Sequence, residues 1–345
     1  MNIQQALQLI VAQESLSQKA MAEVMRDIMT GAATPAQIGG FLVALRVKGE
    51  TVDEITGAAQ VMRELATPVV INADNLVDTC GTGGDGANLF NISTASAFVV
   101  AACGGSVAKH GNRSVSSSTG SADVLEAAGV HLDLTPEQVA RCVEEVGVGF
   151  MFAPAHHSAM KHAIGPRKEL AMRTLFNMLG PMTNPAGVKR QVIGVFDKSL
   201  CRPMAEVLQK LGSEHVMVVH ASDGIDELTL SGTSFIAELK NDKVIEYTIS
   251  PETLGLSTAD LTGLSVSSAQ ESLDLIRDTL GKQEGEHAHK AADIIALNAG
   301  AAVYVAGIAD TLEEGVRMAE DAIGSGLAKA KIQELASFTD CCKVA

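Results

Sequence analysis

Between residues 3 and 66 apolar side chains recur every three or four positions, the spacing of one face of an α-helix. Ile3, Leu7, Ile10 and Val11 make the first such face. Ser17 is placed to cap a second helix that ends at Gly31. Thr34-Pro35 opens a third with Phe41, Leu42 and Leu45 inward, and Thr51 with Glu54 forms the capping box of a fourth. Four short helices with these faces predict an antiparallel bundle. Pro68 closes the last of them, and the polar stretch from Asn72 to Asn75 reads as a crossing to a second unit. No catalytic constellation lies on these helices, so the pattern predicts scaffold or an oligomer interface.

From Val77 the pattern changes to short apolar runs that alternate with helical periods. Strands are predicted at Val77–Thr79, Ser106–Ala108, Val148–Phe152, Val192–Val195 and Val216–Val219. Helices are predicted at about 93–103, 121–128, from Thr135-Pro136 to about Glu145, and from about Ser199 to Leu211. The segment from Ala155 to Pro185 breaks the rhythm: it is helical and rich in His, Arg and Lys. Two antiparallel edge strands follow at Ser234–Leu239 and Val244–Ile249, then helices including Ala291–Val305 and Thr311–Ile323. The expected fold class is α/β. It comprises a small N-terminal helical domain over 1–70, with a return segment at about 165–190, and a larger α/β domain over 76–345 with a mainly parallel sheet.

Composition changes this picture mainly through charge. The 345 residues carry 26 Lys and Arg against 41 Asp and Glu, a formal charge of −15. Such a chain repels nucleic acid and anionic membranes at long range. It also repels a polyphosphate, so any phosphate site here needs locally placed cations or a metal. Trp is absent and Tyr occurs twice, which leaves little for base stacking. Cys80, Cys103, Cys142, Cys201, Cys341 and Cys342 show no CxxC or zinc spacing and predict reduced, mostly buried thiols. The chain opens without a basic-then-apolar leader and has no apolar run of about 18 residues, so a cytoplasmic protein without membrane or nucleic-acid partners is expected.

The strongest chemistry lies between Val77 and Asp123. Gly81-Thr82-Gly83-Gly84-Asp85-Gly86 follows a strand-like run and precedes Asn91-Ile92-Ser93-Thr94 at a helix start, where backbone N–H groups and hydroxyls face one anion. Lys109-His110-Gly111-Asn112-Arg113 follows a second strand and leads into serines that donate further hydrogen bonds. Together the two turns predict a site for a heavily phosphorylated ligand. The spacing is neither the dinucleotide GxGxxG nor a P-loop, which lacks its Gly-Lys-Ser/Thr here. Asp226-Glu227 follows a strand at the sheet edge where α/β ligands bind, and adjacent carboxylates suit one or two magnesium ions better than an acid/base pair. His110 reads either as a site-lining or as a structural histidine. His156, His157 and His162 lack metal-ligand spacing and read as structural.

Five stretches, DTCGTGGDG, NIST, KHGNRSVSS, RKELAMRTLFNMLGPMTNP and DGIDEL, occur in an order that resembles the anthranilate phosphoribosyltransferase family over nearly the whole chain. The resemblance implies a nucleoside phosphorylase-like fold, an active site in the hinge between the domains, and a homodimer through the helical domain. It implies that Gly81, Gly84, Asp85, Asn91, Ser93 and Thr94 bind phosphoribosyl pyrophosphate, with Lys109, Gly111, Arg113, Ser116, Ser117 and Ser121 completing the phosphate contacts. Ser93, Asp226 and Glu227 would hold magnesium. Gly81, Asn112 and Arg167 would meet anthranilate, with the Arg167 guanidinium on its carboxylate. Lys109, His110 and Arg167 are the candidates for catalytic roles, and either His110 or a water would take the proton of the anthranilate amine. Leu89 stands where many relatives carry Thr or Ser, so one hydroxyl contact to phosphate is missing. A pyrimidine nucleoside phosphorylase shares the fold and similar glycine and lysine motifs, but the Arg167 segment opposes it. A transferase-like nucleic-acid-binding protein is opposed by the −15 charge.

Overall fold

The computed structural model describes residues 1–114 and 118–342. Four helices, α1 (Ile3–Val11), α2 (Gln18–Met29), α3 (Pro35–Lys48) and α4 (Val52–Leu65), form the N-terminal bundle. Side chains of Asn2, Ser17, Thr34 and Thr51 each accept from a backbone N–H of the first turn, as N-cap residues do. Val11, expected on the buried face of α1, is 70% exposed. It directly follows the buried Ile10 and so points about 100° away from it, and Ala6 takes the inward place instead.

The second unit opens with β1 (Leu76–Gly81), α5 (Ile92–Ala102), β2 (Ser106–Gly111), α6 (Ser121–Ala127), α7 (Pro136–Arg141) and β3 (Val148–Phe152). The helix expected to run to about Glu145 is divided: α7 stops at Arg141 and a π-turn continues over Cys142–Val146. The His- and Arg-rich segment forms α8 (Ala153–His156), α9 (Lys161–Leu170) and α10 (Phe176–Leu179), of which α9 packs on α3 and α2. Then follow β4 (Arg190–Gly194), α11 (Cys201–Lys210), β5 (His215–Ala221), β6 (Ser234–Lys240) and β7 (Lys243–Ile249). The helices α12 (Ala269–Thr279), α13 (Ala288–Ala306), α14 (Leu312–Gly324) and α15 (Leu327–Cys342) complete the chain. Among the described residues no helix is long and apolar enough to cross a membrane.

The seven strands lie in the order β3-β2-β1-β4-β5-β6-β7. The first five are parallel and the last two antiparallel, as the sequence pattern predicts. The chain grows outward from β1 to β2 and β3, then returns to place β4 on the other side of β1. That reversal puts a crevice at the carboxyl ends of β1 and β4, where open α/β sheets bind ligands. The sheet also parts there: β1 pairs with β2 only at Leu76 and Val77, and from Asp78 to Gly81 it pairs with β4 alone.

Alternate residues of the central strands feed two cores, because successive side chains of a strand point to opposite faces. Val192, Met217 and Val219 join α5 and the C-terminal helices on one face. Ile193, Val195, Val216 and Val218 join α11, the α9–α10 segment and all four N-terminal helices on the other. At the amino end of β5, His215 faces Glu238 at 2.8 Å, and Tyr247 and Tyr304, the only two tyrosines, both donate to the same carboxylate at 2.8 and 2.9 Å.

Candidate active site

The crevice is lined first by the turn after β1. Gly83, Gly84 and Gly86 adopt φ of +64°, +78° and +78°, a region that only glycine occupies without strain. The approach of a second chain segment explains two further glycines. A Cβ at Gly194, the end of β4, would lie 1.5 Å from the Asp226 carbonyl oxygen, and one at Gly81 would lie 2.5 Å from Asp226 Oδ2. The loop after β5 thus crosses directly over the ends of β1 and β4, and Asp226 accepts from the Gly83 N–H at 2.7 Å.

Next to this turn stands the amino end of α5. Asn91 does not cap the helix with its side chain; it is held by Ser272 of α12, whose hydroxyl donates to Asn91 Oδ1 at 2.8 Å. In that first turn the Ile92 N–H donates to the Phe90 carbonyl at 2.7 Å and the Thr94 N–H to the Asn91 carbonyl at 3.1 Å, which leaves the Ser93 N–H, beside Glu227, as the amide that faces the crevice. The Thr94 hydroxyl beside it is fully buried and has no hydrogen-bond partner. Lys109 reaches across the parted strands from β2: its Nζ donates to the Thr79 carbonyl and lies 3.3 Å from Ser93 Oγ.

Asp85, Asp226 and Glu227 bring three carboxyl groups to one place. Burial, then the charge of Asp85, raises the pKa of Asp226; burial, then Asp226, raises that of Glu227, while Lys109 pulls it back. An all-oxygen, acidic donor set strained by its own repulsion fits a hard divalent cation, with Ser93 Oγ as a neutral oxygen nearby. The three carboxylates are not drawn into one tight cage. Among the described residues the one trio of His, Cys, Asp or Glu with ligand atoms within 4.8 Å of one another is Asp78, Cys80 and His110. That trio is no ligand cage, because its carboxylate is already satisfied: Asp78 Oδ2 accepts from His110 Nδ1 at 2.5 Å, Asn184 Nδ2 at 2.9 Å and Gln191 Nε2 at 3.3 Å.

The same network bears on the choice, left open by the sequence, between His110 and water as the proton acceptor. His110 Nδ1 faces Asp78 and its Nε2 faces the Gly180 carbonyl at 2.7 Å, both acceptors, so both ring nitrogens carry hydrogen. Burial works to lower its pKa, but Asp78 and Gly180 outweigh burial and raise it. A buried imidazolium with no free lone pair cannot serve as a base. It bridges the parted strands and holds the chain at Gly180, with Gln191 donating to the Pro181 carbonyl at 2.9 Å.

The remaining expected residues divide in two. Gly111 lies under Ser121, where an added Cβ would come 2.2 Å from Ser121 Oγ, and Asn112 Oδ1 accepts from the Arg113 N–H at 2.8 Å. Arg113 is exposed and forks onto Glu126, with Asp123 at 3.3 Å, so its charge is spent within its own loop and α6. Ser116 and Ser117 lie outside the described residues. Leu89 bridges to Ser265 and packs on the core, a role that needs no hydroxyl. Arg167 on α9 is half-buried over the Phe176 ring at 5.1 Å, and no acidic side chain among the described residues pairs with it. Burial lowers its pKa.

His156 sits 3.1 Å from the Thr67 carbonyl, burial pushes His157 down to about 4, and the His162 ring fills the space beside Gly31; no metal set forms among these described residues. All six cysteines are free, but only Cys142 and Cys201 are fully buried.

Sequence reasoning missed Asp78, Asn184, Gln191 and Arg173. Asp78 left a signal, an acidic residue inside a strand of a sheet covered on both faces. Arg173 left a fainter one, a second arginine just beyond Arg167. Its guanidinium donates to the Gly84 carbonyl and lies over the Phe196 ring at 3.9 Å.

A helical bundle joined to an open α/β sheet, with a glycine turn, a buried lysine at a helix amino end and an acidic cluster at the switch point, defines an anion-binding transferase architecture. Its two parts match the glycosyl transferase family: the helical bundle domain over residues 4–66 and the a/b domain over 73–329. The anthranilate phosphoribosyltransferase of Cellvibrio japonicus (strain Ueda107) is 72% identical over 339 residues, 98% of this chain and 99% of that protein. That of Teredinibacter turnerae is 69% identical over 340 residues, 99% and 100% of the two. The crystal structure of the Thermus thermophilus enzyme superposes with a TM-score of 0.91 at 43% identity, covering 97% of this chain and 99% of that one. The Saccharomyces cerevisiae enzyme in complex with PRPP and Mg, 23% identical with 98% of both chains covered, shares the fold with a TM-score of 0.87. The chain belongs to the anthranilate phosphoribosyltransferase family.

Proposed function

We propose that this protein transfers the phosphoribosyl group of 5-phosphoribosyl 1-pyrophosphate to the amine of anthranilate, giving N-(5-phosphoribosyl)anthranilate and pyrophosphate, a step of tryptophan biosynthesis. One observation carries the reading beyond its family. The segment that bears Arg167, a cation with no acidic partner among the described residues, also grips the glycine turn through Arg173, so a carboxylate-seeking cation lies six residues from a contact with the anion cradle.

In this reading Gly81, Gly84, Asp85, Asn91, Ser93, Thr94, Lys109, Gly111 and Ser121 bind the donor. N–H groups of the glycine turn, the Ser93 and Thr94 hydroxyls and the Lys109 ammonium take its phosphate oxygens. Ser116 and Ser117 belong to the same proposal on sequence grounds. Arg113 is left outside it while its guanidinium is held by Glu126. Asn112, Gly81 and Arg167 bind anthranilate. Ser93, Asp226 and Glu227 hold one or two magnesium ions, which when bound neutralise the pyrophosphate as it departs. Catalysis comes from positioning the amine against C1 of the ribose and from stabilising the leaving charge. The amine of anthranilate is nucleophilic while neutral, and its proton passes to water because His110 has no lone pair to offer.

The reading includes a helical unit over 1–70, a catalytic unit over 76–345, and a homodimer through the helical unit. Val11 and Val47, exposed at 70% and 74% on that unit, supply apolar surface for such contact. Sedimentation at micromolar concentration tests the dimer, and a monomer mass rejects it. A cytoplasmic location is expected, and cell fractionation tests it. The activity is tested by following anthranilate fluorescence with phosphoribosyl pyrophosphate and magnesium: steady loss is expected, and no loss with folded protein rejects the proposal.

A further inference from the structure

Within the turn that cradles phosphate, Asp85 Oδ1 accepts from the Ala87 N–H at 3.2 Å, at its far end only. Positive φ at Gly83, Gly84 and Gly86 gives it a shape but no side chains, and a Cβ built at Gly83 or Gly86 would touch nothing within 4 Å. Its position therefore depends on what grips it from outside. On one side Asp226 accepts from the Gly83 N–H at 2.7 Å. That grip competes with any cation Asp226 binds, since an oxygen committed to a metal is a weaker acceptor for the amide. On the other side Arg173 donates to the Gly84 carbonyl, and at Gly84 alone of these three an added Cβ would meet a side chain, Arg173 Nη2 at 3.3 Å.

Arg173 is itself anchored. Its guanidinium stacks on Phe196 at 3.9 Å, and the Phe196 N–H donates to Thr82 Oγ1 at 3.1 Å, within the same turn. Thr82, Phe196, Arg173 and Gly84 thus close a ring of contacts around one side of the turn. No carboxylate lies within ion-pair distance of Arg173 among the described residues, although the chain is strongly acidic. Its backbone continues from α9, where Ala171 at φ +47° turns the chain after Leu170. The residue therefore ties the helix that carries Arg167 to the donor-binding turn.

We infer that Arg173 is a positioning residue that fixes the Gly81–Gly86 turn in its phosphate-binding shape and keeps that shape when Asp226 is engaged elsewhere. It acts through the Gly84 carbonyl and the Phe196 ring. The kinetic part of this inference rests on the proposed transferase activity; the structural part does not.

The test compares wild type, Arg173→Ala and Arg173→Lys as full-length protein. Because Arg173 is exposed, the thermal midpoint is expected to stay within about 2 °C of wild type. Hydrogen exchange of the ligand-free proteins, read by mass spectrometry, should be several-fold faster at amides 82–87 in Arg173→Ala, with β5 unchanged. Arg173→Lys keeps a donor and a charge but loses the planar face over Phe196, so it should fall between the two. In steady state Arg173→Ala should raise KM for phosphoribosyl pyrophosphate roughly 10- to 100-fold and leave KM for anthranilate within about twofold. Unchanged exchange at 82–87, or equal rises in both KM values, overturns the inference. If wild type does not consume anthranilate, the functional proposal falls and the exchange comparison still decides the role of Arg173.

Discussion

Among the described residues Arg167 is a cation without an anion. Half-buried over Phe176, it gives up part of its hydration and gains no carboxylate in return, so a ligand carboxylate is its natural complement. Arg167→Ala should raise KM for anthranilate roughly 10- to 100-fold, the worth of one charge-assisted bond, and change KM for the donor far less. Equal effects on both substrates, measured in steady state, refute that role. At Gly81 the constraint is steric: a methyl group would meet Asp226 Oδ2 at 2.5 Å. If Asp226 holds magnesium as proposed, Gly81→Ala should raise the magnesium concentration for half-maximal activity about tenfold by displacing that carboxylate oxygen. An unchanged magnesium titration would remove Asp226 from the metal site. Glycines and motif residues of this kind are legible in sequence because their chemistry is local. Asp78, Asn184 and Arg173 are not, since each acquires its role from a partner 30 or more positions away.

The strands and helices themselves follow the hydrophobic pattern closely, because period-two runs and capped three-to-four spacing are properties of the elements alone. What the pattern cannot register is where neighbouring strands part. Beyond Val77 the β1–β2 ladder ends, and side chains replace it: the His110 N–H donates to Asp78 Oδ1 at 3.3 Å and Lys109 reaches Thr79. The buried pair sets a pH signature. The pKa of His110 is raised above its ordinary 6.5, so its contribution is whole below that pH and fades as pH climbs through the raised value. For Asp78, burial works upward but His110, Lys109 and Asn184 hold it below its ordinary 3.8, so its contribution is present above that pH and fades as pH falls through the lowered value. Asp78→Asn, which leaves a buried imidazolium uncompensated, should cost about 3–5 kcal/mol between these limits. Thermal scans should show the deficit shrinking at alkaline pH; a deficit that stays constant or grows there contradicts the pairing.

At the scale of the whole molecule the helical unit has no closed core of its own. The cluster that holds α1 to α4 continues through Leu175 and Met182 into α11 and the sheet face of Val216 and Val218. Calorimetry of the full chain is therefore expected to show one cooperative transition, and a separate early transition for the bundle would show that this shared core is energetically divided. The division at the Asn72–Asn75 crossing is visible in sequence as a change of period, whereas the shared packing is not, because it depends on α9 to α11 returning to the bundle from more than 90 positions downstream.

The convergence of both tyrosines on Glu238 has an optical consequence. With no Trp in the chain and each phenol hydrogen-bonded to a carboxylate, a contact that quenches phenol emission, the protein is nearly dark under ultraviolet excitation. What light it emits comes from the amino end of β5, opposite the crevice, and reports unfolding there rather than occupancy of the site. A fluorescent aromatic acid bound at Arg167 would be seen against almost no background, so its capture and consumption can be recorded on the unmodified protein.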